Sequence, residues 1–160
     1  MLAVHLIQRI EANWEKIATA VAQQSQRDRN VEHYRTLDND ELRKRAQDVA
    51  QNLGYWLTTE NSGAVVERYR ALGRRRYHEG FPLSEVVYKL QLIERKITEY
   101  AQDQNAATTA LEIYGELEML RALRRFFDLA IHGLVSGYEQ AARNTGTWQS
   151  DGKPVLQETA

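Results

Sequence analysis

Apolar residues recur along this chain at intervals of three and four, the spacing that gathers side chains on one face of an α-helix. The first run holds Leu2, Leu6, Ile10, Trp14, Ile17 and Val21 and predicts one long helix that ends in the polar stretch 23–30. A short segment over 31–34 follows. Asp38, with Glu41 three residues on, has the form of a capping box. It opens a second predicted helix with Leu42, Ala46, Val49, Leu53 and Trp56 on one face. A loop over 58–63, with Ser62 as N-cap, leads to a third helix whose inward positions are Val65, Tyr69, Leu72 and Tyr77. A fourth runs over 82–104 with the stripe Leu83, Val86, Val87, Leu90, Ile93, Ile97 and Tyr100. A fifth starts near Thr109 and reaches Arg143, its stripe being Ile113, Leu117, Leu120, Phe127, Ile131, Leu134 and Tyr138. Strand-like alternation of useful length is absent. The fold class is therefore all-α, about five helices, bundle-like, with one long C-terminal helix. That helix spans on the order of 50 Å at 1.5 Å per residue, which predicts that its end projects or pairs with a second copy. Residues 1–144 form the helical domain, and 145–160, without periodicity, read as a flexible tail or linker.

The third and fourth helices meet at a corner that is unusually legible. Gly80 supplies the left-handed conformation that closes a helix. Phe81 follows as the apolar residue that packs back on the closing turn, and Pro82 suits the first turn of the next helix, where its missing N–H costs nothing. With Leu83, these residues are a structural motif without a reacting group.

The same stretch resembles a known family. Leu72-Gly73-Arg74, then Gly80-Phe81-Pro82-Leu83-Ser84-Glu85-Val86-Val87, then Phe126-Phe127-Asp128 and Gly137-Tyr138-Glu139 are similar to the pattern of the N-terminal domain of the RsbT co-antagonist proteins of the RsbR and RsbRD type. The resemblance covers residues 12–142. It implies a helical sensor or regulatory domain of bacterial signalling proteins, of the kind that precedes a STAS domain or a histidine kinase. It also implies a globin-like fold without haem as the alternative to a simple bundle.

Composition narrows the function. The chain has 160 residues, enough for one domain with a real core, and a net charge of −1, so no global field draws it to nucleic acid or a membrane. It contains no cysteine, which removes disulfides, thiolate metal sites and thiol nucleophiles and fits a cytoplasmic protein. No apolar run is long enough for a signal peptide or a membrane span. His5, His33, His78 and His132 show no metal-ligand spacing. His132 is the one cofactor-binding candidate, since a haem needs an inward His; its plainer reading is a core-margin His bonded to Asp128. A phosphotransfer role is disfavoured because the run His132-Gly133-Leu134-Val135 lacks the lysine of such sites. Arg74, Arg75 and Arg76 form a basic cluster that could meet a partner surface, or simply be a solvated helix face. Gly133 and Gly137, four apart, either admit another helix at close range or weaken their own. The aromatic residues pack a core, or line a pocket for a small apolar ligand. Catalytic motifs are absent.

The resulting expectation is a non-enzymatic sensor or scaffold domain in bacterial signal transduction, working through shifts in helix packing and protein–protein contacts. It takes no metal and no cofactor. It pairs as a homodimer through Leu6, Leu134 and the Gly133–Gly137 face, and its output partner is a STAS-domain protein or a histidine kinase. The rival readings are a haem or other small-ligand globin-like sensor and a nucleic-acid-binding helical protein.

Overall fold

The structure, a computed structural model, describes residues 2–36, 40, 43–44, 47–49, 53–58, 61–104 and 109–146. Among them the chain is helical and contains no strand. The Asp38–Glu41 capping box, the helix positions Leu42 and Ala46, and the tail over 147–160 lie outside the described residues.

The segmentation is finer than five helices. The first predicted helix is two: α1 (Leu2–Ala12) and α2 (Trp14–Arg27), divided at Asn13. The Asn13 side chain donates to the Arg9 carbonyl oxygen at 2.8 Å and its backbone leaves the helical region, with φ −113° and ψ 24°. A short amide competing for its own helix's carbonyls is a recognised helix breaker. The apolar periodicity runs through the break, so Ile10, Ile17 and Val21 are still buried together. After α2, the Asp28 carboxylate accepts the Asn30 backbone N–H at 2.9 Å, which lowers its pKa from the ordinary value and starts a 3-10 segment, Arg29–Thr36. Val31 and Tyr34 of that segment are fully buried. Helical residues at 43–44 and 47–49 and the short α3 (Leu53–Thr58) follow. The Gly54 backbone N–H donates to Glu11 at 2.7 Å and ties α3 to α1.

The next three helices form the body. α4 (Ser62–His78) is capped by Asn61, not Ser62: the Asn61 side chain accepts the Ala64 N–H at 3.1 Å. α5 is Leu83–Gln104 and α6 is Ala110–Asn144. Thr109 and Glu112 form a reciprocal capping box at the start of α6. The corner between α4 and α5 closes as a Schellman turn. Gly80, at φ +80°, donates to the Tyr77 carbonyl at 3.0 Å, and Phe81 donates to that of Arg76 at 3.0 Å. Pro82 stands one place before α5, its carbonyl accepting the Glu85 and Val86 N–H groups.

α4 and α6 meet backbone to backbone. A Cβ on Gly73 would lie 2.0 Å from the Leu134 carbonyl oxygen, one on Gly133 2.4 Å from that of Val66, and one on Gly137 2.0 Å from that of Arg70. The paired positions rise together along both chains, so the two helices run parallel here. α5 runs the other way: Phe81 lies beside Tyr138, and Glu94 near Arg124. The helix that approaches Gly133 and Gly137 is therefore the chain's own α4. Leu134 is fully buried and Leu6 nearly so, which corrects their expected place at a dimer contact. The stripe on α6 is corrected at its start as well. Ile113 and Leu117 are 49% and 47% exposed, with Leu111 at 72% and Tyr114 at 58%. The core face begins only with Met119, Leu123, Phe126 and Phe127.

The glycine contacts make a sharp prediction. Gly137→Ala forces two backbones apart and should exceed the roughly 1–3 kcal/mol typical of overpacking. Gly63→Ala, in the first turn of α4 with only a 3.5 Å neighbour, should be neutral or stabilise by up to about 1 kcal/mol. Gly80→Ala meets no neighbour but holds a positive φ, and should cost about 1 kcal/mol. Urea denaturation of the three variants measures this order. A Gly137→Ala protein as stable as Gly63→Ala would dismantle the close contact.

Candidate functional site

The Schellman corner fixes the last turns of α4, and with them the direction of three consecutive arginines. Arg74 is half-buried and reaches Gln140 of α6 at 3.2 Å. Arg75 is exposed. Arg76 is 4% exposed, pairs with Glu79 at 2.7 Å and lies 5.6 Å from the Phe81 ring. Arg76 is buried, Arg74 turns to α6, and Arg75 and Arg76 both line the same cavity, so the three do not form the expected exposed, partner-facing basic patch.

Arg76 lines a cavity of about 580 Å³ between α4, α5 and the 3-10 segment, to which Lys44, Asp48 and Val49 also contribute. The volume is that of a small-molecule site. Its apolar wall is made by Val49, Tyr69, Leu72, Leu90, Ile93 and Leu134. Its charged groups are unbalanced: Lys44, Arg68, Arg75, Arg76 and Lys89 against Asp48. Asp48 is paired with Arg68, which also lies 5.2 Å from the Trp56 ring.

Lys89 is the unusual member. It is 4% exposed and faces Ser25 of α2, Tyr34 of the 3-10 segment and Arg76 of α4. Its ammonium donates to the Ser25 hydroxyl, which donates onward to the Val21 carbonyl at 2.7 Å, and sits 5.2 Å from the Tyr34 ring centre. No carboxylate pairs with it among the described residues. Burial, reinforced by Arg76, pushes it down to about 8 from an ordinary 10.5. Burial likewise raises Tyr34 to about 12 and lifts Tyr69. Arg76 adds a second incomplete cation, since its buried Nε has no hydrogen-bond partner. Sequence reasoning missed Lys89. The signal was there: a lysine on the same face as Val86 and Ile93, inside an apolar stripe.

The other sequence candidates lie elsewhere. His132 is exposed on α6, and Asp128 pairs with Arg124 at 3.7 Å. The inward imidazole that a haem ligand requires, and the expected bond to Asp128, are both missing. His33, not singled out in the sequence, matters structurally. Its backbone N–H donates to Glu85 at 2.9 Å and its ring Nδ1 lies 2.8 Å from the other carboxylate oxygen, pinning the 3-10 segment to α5. Gly80, Phe81, Pro82 and Leu83 form the corner as expected. Tyr138 clamps that corner to α6, its hydroxyl donating to the Phe81 carbonyl at 2.6 Å. No group of three or more metal-ligating side chains occurs among the described residues.

The model of the RsbT co-antagonist protein RsbRD N-terminal domain matches residues 15–151 of the chain. The chain belongs to this family. It is thereby a regulatory domain of the sensor type in stress-response signalling, from a family whose RsbR members work with STAS-domain partners. No curated protein and no solved structure matches it. In the described part of this RsbRD-type domain, no helix is long and apolar enough to cross a membrane.

Lys89 links the site to stability. Between its folded value near 8 and its unfolded value near 10.5, the unfolded chain holds a proton that the folded one does not. Stability conferred through this group therefore rises as pH increases across that window. Lys89→Met should abolish that rise and, by removing a buried unpaired charge, stabilise the protein at pH 7 by about 1–3 kcal/mol. Denaturation curves of the two proteins from pH 7 to 10 check it. A variant less stable than the parent at pH 7 would show that the ammonium is fully compensated.

Proposed function

We propose that the chain is a non-enzymatic sensor that transmits a change in helix packing to a STAS-domain partner. The observation that carries this reading is a shared wall. Leu134 lines the cavity, and its carbonyl oxygen is the atom packed against Gly73 in the α4–α6 contact. Whatever alters the cavity bears on that contact directly. A backbone contact without side chains to absorb a shift must slide or separate, and packed interfaces respond in discrete steps. Tyr138 couples the same end of α6 to the α4–α5 corner. The output is thus carried by the last turns of α6. The compartment that goes with such a partner is the cytoplasm.

Self-association belongs to the other end of α6. Leu111, Ile113, Tyr114 and Leu117 project from its first two turns, and grouped exposed apolar side chains mark contact surfaces. A second copy paired about a two-fold axis would bury the same face twice. The homodimer is proposed there, in place of Leu6 and Leu134.

Two measurements test these readings. Immobilised domain should retain a purified STAS-domain protein of the same signalling system; retention of a histidine kinase alone would move the output to the rival partner. In sedimentation at micromolar concentration the protein should run as a dimer, with Leu117→Glu shifting it to monomer at unchanged helicity. A parent protein that sediments as monomer would end the dimer proposal.

A further inference from the structure

We infer that the cavity between α4 and α5 binds a small organic carboxylate, its head at Arg76 and Lys89 and its apolar body against Leu90, Ile93 and Leu134. The inference deepens the sensor reading and rests on it for its biological meaning, but the binding itself does not depend on any partner.

Charge is the first argument. Two cations, each 4% exposed, stand on the same cavity next to the same residue, Tyr34. Arg76 has Glu79. Lys89 has a hydroxyl and an aromatic face, and no carboxylate among the described residues. A buried charge left in this state is strongly unfavourable unless an opposite charge joins it. Arg75 adds positive potential as another cavity-lining side chain. Asp48, the one acidic group of the lining among the described residues, is engaged with Arg68. The missing charge is therefore negative, and no described residue supplies it.

The count of free donors selects the head group. Arg76 uses one terminal nitrogen on Glu79, and its Nε is buried without an acceptor. Lys89 uses one of its three N–H bonds on Ser25. Arg76 also bonds Tyr34, and the N–H groups that remain on the two cations are more than enough for the two oxygens of a carboxylate. A phosphate dianion brings a second charge to desolvate. The wall decides the rest of the ligand. Beside Lys44, Asp48, Arg68 and Arg75, the lining offers the apolar surface of Val49, Leu72, Leu90, Ile93 and Leu134, and an apolar body gains from burial there.

The test uses the full chain with octanoate and 4-phenylbutyrate as probes, each beside its matched primary alcohol, by isothermal titration calorimetry at pH 7. At least one acid should bind, and at least ten-fold more tightly than its alcohol. Lys89→Met should weaken the acid ten-fold or more and leave the alcohol unchanged. Arg75→Ala, at an exposed position, should weaken the acid by less than three-fold. Acid and alcohol of equal affinity, no binding by either acid, or an unaltered Lys89→Met variant would each overturn the assignment. Failure here with STAS-domain retention intact discards the ligand class alone. Binding of the acids with no retained partner discards the signalling output and keeps the site.

Discussion

Three glycines let two helix backbones touch, and most of the molecule is arranged around that contact. Gly73 on α4 and Gly133 and Gly137 on α6 each face a carbonyl oxygen of the other helix at a distance where no Cβ fits. Helices with ordinary side chains pack 8–10 Å apart; this pair comes closer and has no side chains with which to adjust. The parallel alignment of α4 and α6 is thereby set over several turns. It presents Arg76 to the interior and Arg74 to Gln140. It also carries the α4–α5 corner to the end of α6, where Tyr138 bonds to the Phe81 carbonyl. α5 leaves that corner in the opposite direction, and the cavity is the space this reversal leaves beside α4.

The cavity places a conflict inside the fold. Apolar burial by Leu90, Ile93 and Leu134 favours folding, while Lys89 in the same wall opposes it by losing its hydration. The partial remedies are visible: a hydroxyl from Ser25, itself tied to the Val21 carbonyl, and the face of Tyr34. Neither supplies a charge. A methionine would satisfy the packing better, and the lysine at this place is what the proposed use of its ammonium requires. That is the ordinary signature of a site held at some expense of stability.

The helices were legible in the sequence where one signal dominated. The start of α6 was placed near Thr109 by periodicity, and Gly80, Phe81 and Pro82 mark the corner by backbone chemistry suited to those residue types. Asn13 was not legible as a break, because the apolar spacing continues across it and the decisive event is a side-chain bond to Arg9. Ile113 and Leu117 keep helical register with the core, yet the elements that cover the core do not reach them; periodicity reports a face, not what lies opposite. The glycine pair was read as permitting close approach, which is correct, but sequence cannot name the approaching helix. Lys89 and Arg76 were hidden for a related reason. A lysine within an apolar stripe and one arginine among three look like surface residues until the turn that aims them is known.

α6 unites these features in one rigid element. Over its 35 residues it exposes apolar side chains in its first turns, supplies the core in its middle with Leu123, Phe126 and Phe127, and presents bare backbone to α4 near its end. A continuous helix cannot shift at one of these levels without displacing the others, since its own hydrogen bonds hold the rise per residue constant. The middle is held by close packing with Trp56 and Tyr69 around Phe126 and tolerates little translation. Under the proposed sensor reading, a change in cavity occupancy would find its easiest path in rotation or tilt about that packed middle. Tilt moves both ends, in opposite senses. In the proposed mechanism this tilt couples the exposed Leu111–Leu117 face to the Tyr138 clamp, and a partner seated at either end would sense the state of the cavity through the same lever.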